Sequence, residues 1–386
     1  MNLRIAVNAF SNPVGGGRTV LRRILPRMAD FAPRSSFTVF GPSGDEALRG
    51  DVARPNVVWQ DVPAGLRGTG SKLLWENLSF PRELVRGGFD VVLCPANVSH
   101  FRGTTPKVVM IQNSLPFYRD LYRFESARTR ARLHLLAWAS HHFIARAEGA
   151  VFLTRTARED ALRGTSVEPK RDTVAYLGVD EDFGREPHEA ARADAARRYD
   201  LPGRYVLSAS HLYRYKRFEA LIEAWGLIPP ATRDGRTLVI AGEPHDRAYA
   251  DALAERVSRL ADPSSVRFIG GVTTATLSTL HAGADAVAFL SACEAGSITV
   301  LEALASGRPL LLSNRSALPE LGSDAALYAD PDRPEEVARQ LARLLSDPAL
   351  ARDLGARARR RAAEFTWDRT ARTVLAVLES VASARR

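Results

Sequence analysis

Ala286-Val-Ala-Phe-Leu-Ser-Ala-Cys-Glu-Ala-Gly-Ser-Ile-Thr-Val-Leu-Glu-Ala-Leu-Ala-Ser-Gly-Arg-Pro309 reads as a strand, a loop and a helix. The apolar run Ala286 to Leu290 has strand length and β-rich content and stops at small residues. Ile298 to Ser306 then follows helical periodicity until Gly307 and Pro309 end it. In such a unit the helix N-terminus sits at the carboxyl edge of a sheet, where free backbone N–H groups and the helix dipole favour an anion such as a diphosphate. Glu294 falls in the loop and Glu302 about one turn into the helix. Carboxylates there would repel a phosphate, so they suit hydrogen bonds from hydroxyl groups on either side of it. A ligand with sugars flanking a diphosphate fits.

Working outward, 386 residues suit two α/β domains of roughly 150 to 200 residues each. The first half alternates apolar runs with helical patterns: Arg4 to Phe10, Phe37 to Phe40, Val57 to Trp59, Val91 to Cys94, Val108 to Ile111 and Ala150 to Leu153. A polar stretch rich in Ala, Arg and Glu, Glu186 to Asp200, leads to a second such rhythm. Its strands are expected at Tyr205 to Ser208, Thr237 to Ala241, Val266 to Ile269, Ala286 to Leu290 and Pro309 to Ser313. Helices are expected between them and over the last fifty or so residues. The expected division is 1–184, 185–365 and a terminal helix at 366–386, with a ligand cleft between two Rossmann-like halves.

Composition narrows the class. The apolar content of 45% is that of a globular protein, and no apolar stretch approaches the roughly 18 residues that span a bilayer. The start of the chain reads as a buried strand rather than a signal peptide. Cys94 and Cys293 lie too far apart in sequence to suggest a disulfide framework or a zinc site, and the cytoplasm is the expected compartment. Net charge is +9, of which residues 1–184 carry +7. That excess suits an anionic partner such as a membrane leaflet, or is simply a solvated surface; no nucleic-acid partner is expected. Arg119 to Arg146 holds six Arg against Asp120 and Glu125, with Leu133, Leu135, Leu136, Trp138, Phe143 and Ile144 among them. Such a helix either lies at an anionic bilayer or packs on its own domain.

Chemistry is concentrated at loops that follow strands. Ser208-Ala-Ser-His-Leu-Tyr-Arg-Tyr-Lys-Arg-Phe218 places Arg214, Lys216 and Arg217 after the second half's first strand, where cations can neutralise phosphate. Only four of the 53 basic residues are Lys, and Lys216 is the only one beyond residue 184. The turn Asn12 to Arg18 contains Gly15, Gly16 and Gly17, which allow close backbone approach to a ligand. It lacks the GxGxxG spacing of a dinucleotide site, which argues against an oxidoreductase. Gln112 and Asn113, also after a strand, can hydrogen-bond sugar hydroxyls but cannot act as a general base. Asp180-Glu-Asp182 has the form DxD but lies away from the presumed diphosphate loop, and no metal requirement follows.

In order along the chain stand Gly178-Val-Asp180, the basic loop with Lys216, Ala241-Gly-Glu243, Phe268-Ile-Gly270, Ala284-Asp-Ala286, Leu301-Glu-Ala-Leu-Ala-Ser-Gly307 with the two glutamates, and Phe365-Thr-Trp367. Together these residues resemble glycosyltransferase family 4, retaining enzymes of GT-B fold that use nucleotide sugars. The resemblance implies α/β architecture with two Rossmann-like domains facing across a cleft and a terminal helix crossing back to the first. It implies that Glu294 contacts the transferred sugar and Glu302 the ribose, while Lys216 with Arg214 or Arg217 holds the diphosphate. Gly296, Ser297, Ile298 and Thr299 would supply backbone N–H groups to the phosphates. The family's loop commonly reads Glu-Gly-Phe-Gly-Leu-Pro where this chain has Glu294-Ala-Gly-Ser-Ile-Thr299, and Gln112-Asn113 stand where many members place His-Asp.

The expected activity is transfer of a hexose, mannose or similar, from a nucleotide-diphosphate sugar to an acceptor hydroxyl, without cofactor or metal. The acceptor is a lipid-linked or surface glycan, with peripheral contact at the inner face of an anionic membrane, or a soluble small molecule. A non-catalytic sugar-nucleotide-binding module is the other class that fits.

Overall fold

The computed structural model describes residues 2–10, 16–63, 69–201 and 203–384. The chain divides into two compact units, Met1–Gly178 with Trp367–Arg386, and Val179–Thr366.

In the first unit the strands are β1 (Arg4–Asn8), β2 (Ser36–Pro42), β3 (Val57–Val62), β4 (Val91–Cys94), β5 (Lys107–Ile111), β6 (Gly149–Phe152) and β7 (Asp172–Val174). They form one sheet in the order β3-β2-β1-β4-β5-β6-β7, with every pair parallel. Ile5 on β1 lies opposite both Phe37 on β2 and Val91 on β4. β4 and β6 are apolar from end to end and wholly buried, as strands covered by helices on both faces must be. The edge strand β3 instead alternates and leaves Val58 exposed. The helix Trp367–Ser383 belongs to this unit: Arg27 Nε reaches Asp368 at 2.9 Å and Thr370 Oγ donates to the Tyr176 carbonyl at 2.6 Å. It rests on β6 at Gly149, where an added Cβ would come within 3.0 Å of Val377.

In the second unit the strands are β8 (Tyr205–Ala209), β9 (Thr237–Ala241), β10 (Val266–Gly270), β11 (Ala286–Phe289), β12 (Leu310–Ser313) and β13 (Leu327–Ala329). Their order is β10-β9-β8-β11-β12-β13, again all parallel. In each sheet the chain steps outward through three strands and then returns to the other side of its first. The order therefore reverses between β1 and β4, and between β8 and β11, and at such a point a crevice opens beyond the carboxyl ends of the strands.

The expected strands all form. Two three-residue edge strands, β7 and β13, were not expected, being too short to show a period. The stretch Glu186 to Asp200 is not a plain connector: it contains the helix Glu189–Arg198, which buries Ala195 and packs on the helix Thr274–Gly283. The division also falls six residues before the expected 184/185 boundary. The turn Glu181–Gly184 is anchored in the second unit, with Phe183 buried and Ser278 Oγ donating to the Asp182 carbonyl at 2.7 Å. The helix Ile298–Ser306 has the bounds its periodicity gives, and Gly307 ends it at φ +67°. The helix Pro348–Ala362 crosses so close to that end that a Cβ on Gly355 would lie 2.3 Å from the Gly307 carbonyl oxygen.

Candidate active site

The second unit's reversal point is bridged by an ion pair. Lys216, from the loop after β8, sets its Nζ 2.5 Å from Oε1 of Glu294, from the loop after β11. The two loops are also joined through backbone: the Ala292 N–H donates to the Tyr215 carbonyl at 2.8 Å. Both charged side chains are only about a tenth exposed, at 11% and 10%. Opposite charges at that depth offset part of each other's desolvation. Lys216 Nζ also lies 4.8 Å from the Phe289 ring centroid and 5.2 Å from that of Tyr215, so aromatic faces complete its surroundings. Glu294 is fixed from a third loop. Its N–H donates to Ser316 Oγ at 2.9 Å, and the Ser316 hydroxyl donates to the Glu294 carbonyl at 2.9 Å. Ser316 follows β12 in a left-handed conformation, φ +56°, and no sequence signal singled it out.

Beside the pair stands the N-terminus of the helix Ile298–Ser306. Ser297 is its cap, accepting at Oγ from the Val300 N–H at 3.4 Å, so its side chain is spent on the helix. The remaining first-turn N–H groups, those of Ile298 and Thr299 among them, point out of the helix end as an anion site requires. Gly296 precedes the cap and is half-buried. Glu302 lies one turn in, and its side chain makes no hydrogen bond or ion pair among the described residues. Burial, reinforced by the Asp180 carboxylate nearby, pushes its carboxyl up to about 8.

The other two basic residues of the loop turn away from Lys216. Arg214 places Nε and Nη2 at 3.1 and 2.9 Å from Asp246 Oδ2, with its guanidinium 5.1 Å from the Tyr249 ring centroid. Asp246 caps the helix Arg247–Ser258. Burial pushes its carboxyl up, but the Tyr249 N–H and the Arg214 guanidinium outweigh this and hold it below the usual carboxylate range. Arg217 has φ +59°, begins the helix Phe218–Leu227, and pairs with Glu219 at 3.2 Å and with Asp332. Asp332 in turn meets Arg315 at 2.7 Å. Only Lys216 of the three therefore reaches Glu294. A left-handed residue at position 217 reverses the chain between the two side chains, and that turn has no sequence signature when the residue is Arg.

In the first unit, Gly15 lies outside the described residues, and Gly16 and Gly17 form the first turn of the helix Gly16–Phe31. Gln112 and Asn113 are organised by a residue not singled out in the sequence. Asn97, buried after β4, accepts both of their N–H groups at Oδ1, each at 2.9 Å, and donates to the Asn113 carbonyl at 2.7 Å. The Gln112 side chain donates to the Pro95 carbonyl at 2.8 Å, and Asn113 Oδ1 accepts from the Leu115 N–H at 3.0 Å. Asn8, at the end of β1, donates to the buried carboxylate of Glu76 at 2.9 Å. Asp182 of the DxD sequence pairs with Arg185 at 3.2 Å. Among the described residues no three His, Cys, Asp or Glu side chains group as metal ligands.

Residues 192–361 match the family model for glycosyl transferases group 1. Over that segment the chain is similar to group 1 glycosyl transferases. The match holds the whole of Lys216, Glu294, Glu302 and the helix beside them. Among curated relatives, the chain is 28% identical over 233 residues to the serotype-specific mannosyltransferase WbdA of Escherichia coli, 58% of this chain and 28% of that one. It is 32% identical over 255 residues to the D-inositol 3-phosphate glycosyltransferase of Salinispora tropica, 63% of this chain and 53% of that one. The chain thus spans from about a quarter to about half of these relatives. Solved structures extend the likeness beyond that segment: HepE of Anabaena in complex with UDP and glucose superposes at TM-score 0.76, with 17% identity over 98% of this chain and 100% of that one. WaaG, a glycosyltransferase involved in lipopolysaccharide biosynthesis, gives 0.73 with 19% identity over 97% and 99%. The fold is accordingly GT-B, with a Rossmann-like sheet in each unit.

Proposed function

We propose that the protein is a retaining hexosyltransferase of the family 4 type, acting on a nucleotide-diphosphate sugar and an acceptor hydroxyl. The observation that carries this reading is the Lys216–Glu294 pair at the N-terminus of the helix Ile298–Ser306. One cation, one set of outward N–H groups and two carboxylates within two turns suit a diphosphate with a sugar on each side. In this reading Lys216 and the helix terminus hold the diphosphate, Glu294 accepts hydrogen bonds from the transferred sugar, and Glu302 accepts them from the ribose. Arg214 and Arg217 act through the loop they brace rather than on the phosphates. The bond from the anomeric carbon to the diphosphate oxygen breaks as the bond to the acceptor oxygen forms on the same face. The acceptor's proton passes to the departing phosphate, and Lys216 and the helix terminus offset the charge that gathers there. Every role in this scheme is filled by protein groups, so no metal is assigned.

The mannosyltransferase among the relatives favours mannose as the sugar. That relative and the lipopolysaccharide enzyme favour a lipid-linked or surface glycan as acceptor, assembled at the inner face of a membrane. Incubation with a panel of GDP- and UDP-hexoses, with slow hydrolysis or transfer to added glycans as readout, tests the reading. Turnover of one donor that Lys216→Ala and Glu294→Ala abolish is the expected result. Tight binding of a nucleotide sugar with no turnover under any acceptor would replace the transferase by a binding module.

A further inference from the structure

The helix Ala127–Arg146 of the first unit buries one face, Leu133, Ala137, Ser140, Phe143 and Ile144, against its own unit. Its opposite face leaves Leu135 and Trp138 exposed, at 65% and 57%. These two do not stand alone. Phe101, itself exposed, stacks on Trp138 with ring centroids 6.1 Å apart, and its N–H donates to Asn77 Oδ1 at 2.7 Å. Asn77 precedes Leu78, and Leu74 lies one turn back; both are exposed. Phe101 therefore ties the segment that carries Leu74 and Leu78 to the helix that carries Leu135 and Trp138, and all five side chains are apolar and exposed.

Along the helix itself the formal charges have one sign. The helix Ala127–Arg146 contains no Asp or Glu. Arg128, Arg130 and Arg132 on it, and Arg102 beside Phe101, are exposed and make no ion pair among the described residues. Elsewhere arginines are commonly paired, as Arg18, Arg27, Arg54, Arg158 and Arg163 are within this same unit. Unpaired guanidiniums flanking exposed aliphatic and indole side chains match the layering of an anionic bilayer: phosphate at the level of the Arg heads, the interface at the level of Trp, and acyl chain below. No helix of the described residues is long and apolar enough to cross a membrane, so contact here is from one side.

We infer that this surface docks the protein on an anionic lipid bilayer, with Trp138, Phe101 and Leu135 entering the interface and the four arginines binding lipid phosphates. This gives the membrane partner of the proposed activity a defined surface, but its residues belong to the first unit, and Lys216 and Glu294 to the second. Vesicle binding without nucleotide sugar, and donor hydrolysis without vesicles, therefore succeed or fail separately.

The test is co-sedimentation of the full chain with phosphatidylglycerol–phosphatidylcholine vesicles and with pure phosphatidylcholine vesicles. Brominated lipid serves in parallel as a quencher of Trp138, with Trp138→Phe as its control. Binding is expected to anionic vesicles only and to weaken with salt. Arg128→Gln, Arg130→Gln and Arg132→Gln together should weaken it on the order of 100-fold, and Leu135→Ser with Trp138→Ser by roughly tenfold or more. Each variant should keep the parent's circular dichroism and donor hydrolysis. Quenching that disappears in Trp138→Phe supports insertion even should the serine variant fail to fold. Equal binding to both vesicle types, no binding, or binding unchanged in the folded variants overturns the inference. So does a dimer in sedimentation that Trp138→Ser dissolves without any vesicle binding, which would make a second copy the occupant.

Discussion

The two units share a topology and differ in what they place where the strand order reverses. Between β8 and β11 stands an ionised pair, Lys216 with Glu294, in a site about a tenth exposed. Around the corresponding point between β1 and β4 the buried carboxylate of Glu76 meets the neutral amide of Asn8 at 2.9 Å, and two further groups are held neutral. Burial pushes the Cys94 thiol up to about 12 and the His100 ring down to about 3, and the two are linked through Ser99 at 2.9 and 3.0 Å. Asn97 spends its amide on the backbone of Gln112 and Asn113. The sheet thus fixes where loops gather, and the loops fix whether the place is electrostatic or merely ordered. Reactions that separate charge need the first kind of place.

The sharpest way to break this contrast is to remove charge from the second unit. Lys216→Ala leaves Glu294 buried without its partner and strips the leaving-group side of its cation. Turnover of the accepted donor should fall about 10²- to 10³-fold. Glu294→Gln keeps the shape and the hydrogen-bonding reach, so it should lose less than Lys216→Ala while raising KM for the sugar nucleotide. Steady-state kinetics on both variants measure the difference. Equal, small losses would mean that the pair is a structural ion pair and that the charged site lies elsewhere.

The difference between the units also explains what could be read from the sequence. Strand and helix periods in apolar runs gave both sheets and the bounds of the helix Ile298–Ser306, because burial on two faces leaves a continuous apolar signal. Lys216 and Glu294 stood out by residue type and position after strands, and the structure brings them to 2.5 Å. The divergence of Arg214 and Arg217 was illegible, since it depends on Asp246 and Asp332, 32 and 115 residues further on. Asn97 and Ser316 were illegible for a related reason. Each acts by hydrogen-bonding a distant backbone, and a lone Asn or Ser in a loop carries no mark of that.

The first unit's ordered loop is tested through Asn97. Asn97→Ala leaves the N–H groups of Gln112 and Asn113 without their acceptor, at a cost of about 2–4 kcal/mol. In a unit of this size that lowers the thermal midpoint by roughly 5–12 °C. Asn97→Asp keeps an acceptor for both N–H groups and loses the donor to the Asn113 carbonyl and to Ser140 Oγ, so it should recover part of the loss. Differential scanning calorimetry of the two variants separates them. A midpoint unchanged in Asn97→Ala would show that water replaces the side chain and that the loop is not held as its bonds imply.

Within the second unit, Glu302 sharpens the same comparison by pH. Its carboxyl is pushed up to about 8 by burial and by Asp180, so at neutral pH it holds a proton that an ordinary glutamate would have lost. A ribose diol donates best to the ionised form. Nucleoside diphosphate affinity should therefore rise with pH, by up to about tenfold per unit below the carboxyl's midpoint, and level off above it. The diphosphate titrates nearby, so the informative quantity is the ratio of Kd between the parent and Glu302→Gln, measured calorimetrically from pH 6 to 9, which cancels the ligand's own protons. Stability runs the other way. The folded state binds the proton more tightly than the unfolded one, so the contribution from Glu302 is whole below the ordinary glutamate range and is lost as pH rises through about 8. Glu302→Gln should flatten that decline while weakening nucleotide binding at high pH. A parent-to-variant ratio that stays constant with pH would remove Glu302 from the nucleotide site and leave the ribose to other groups.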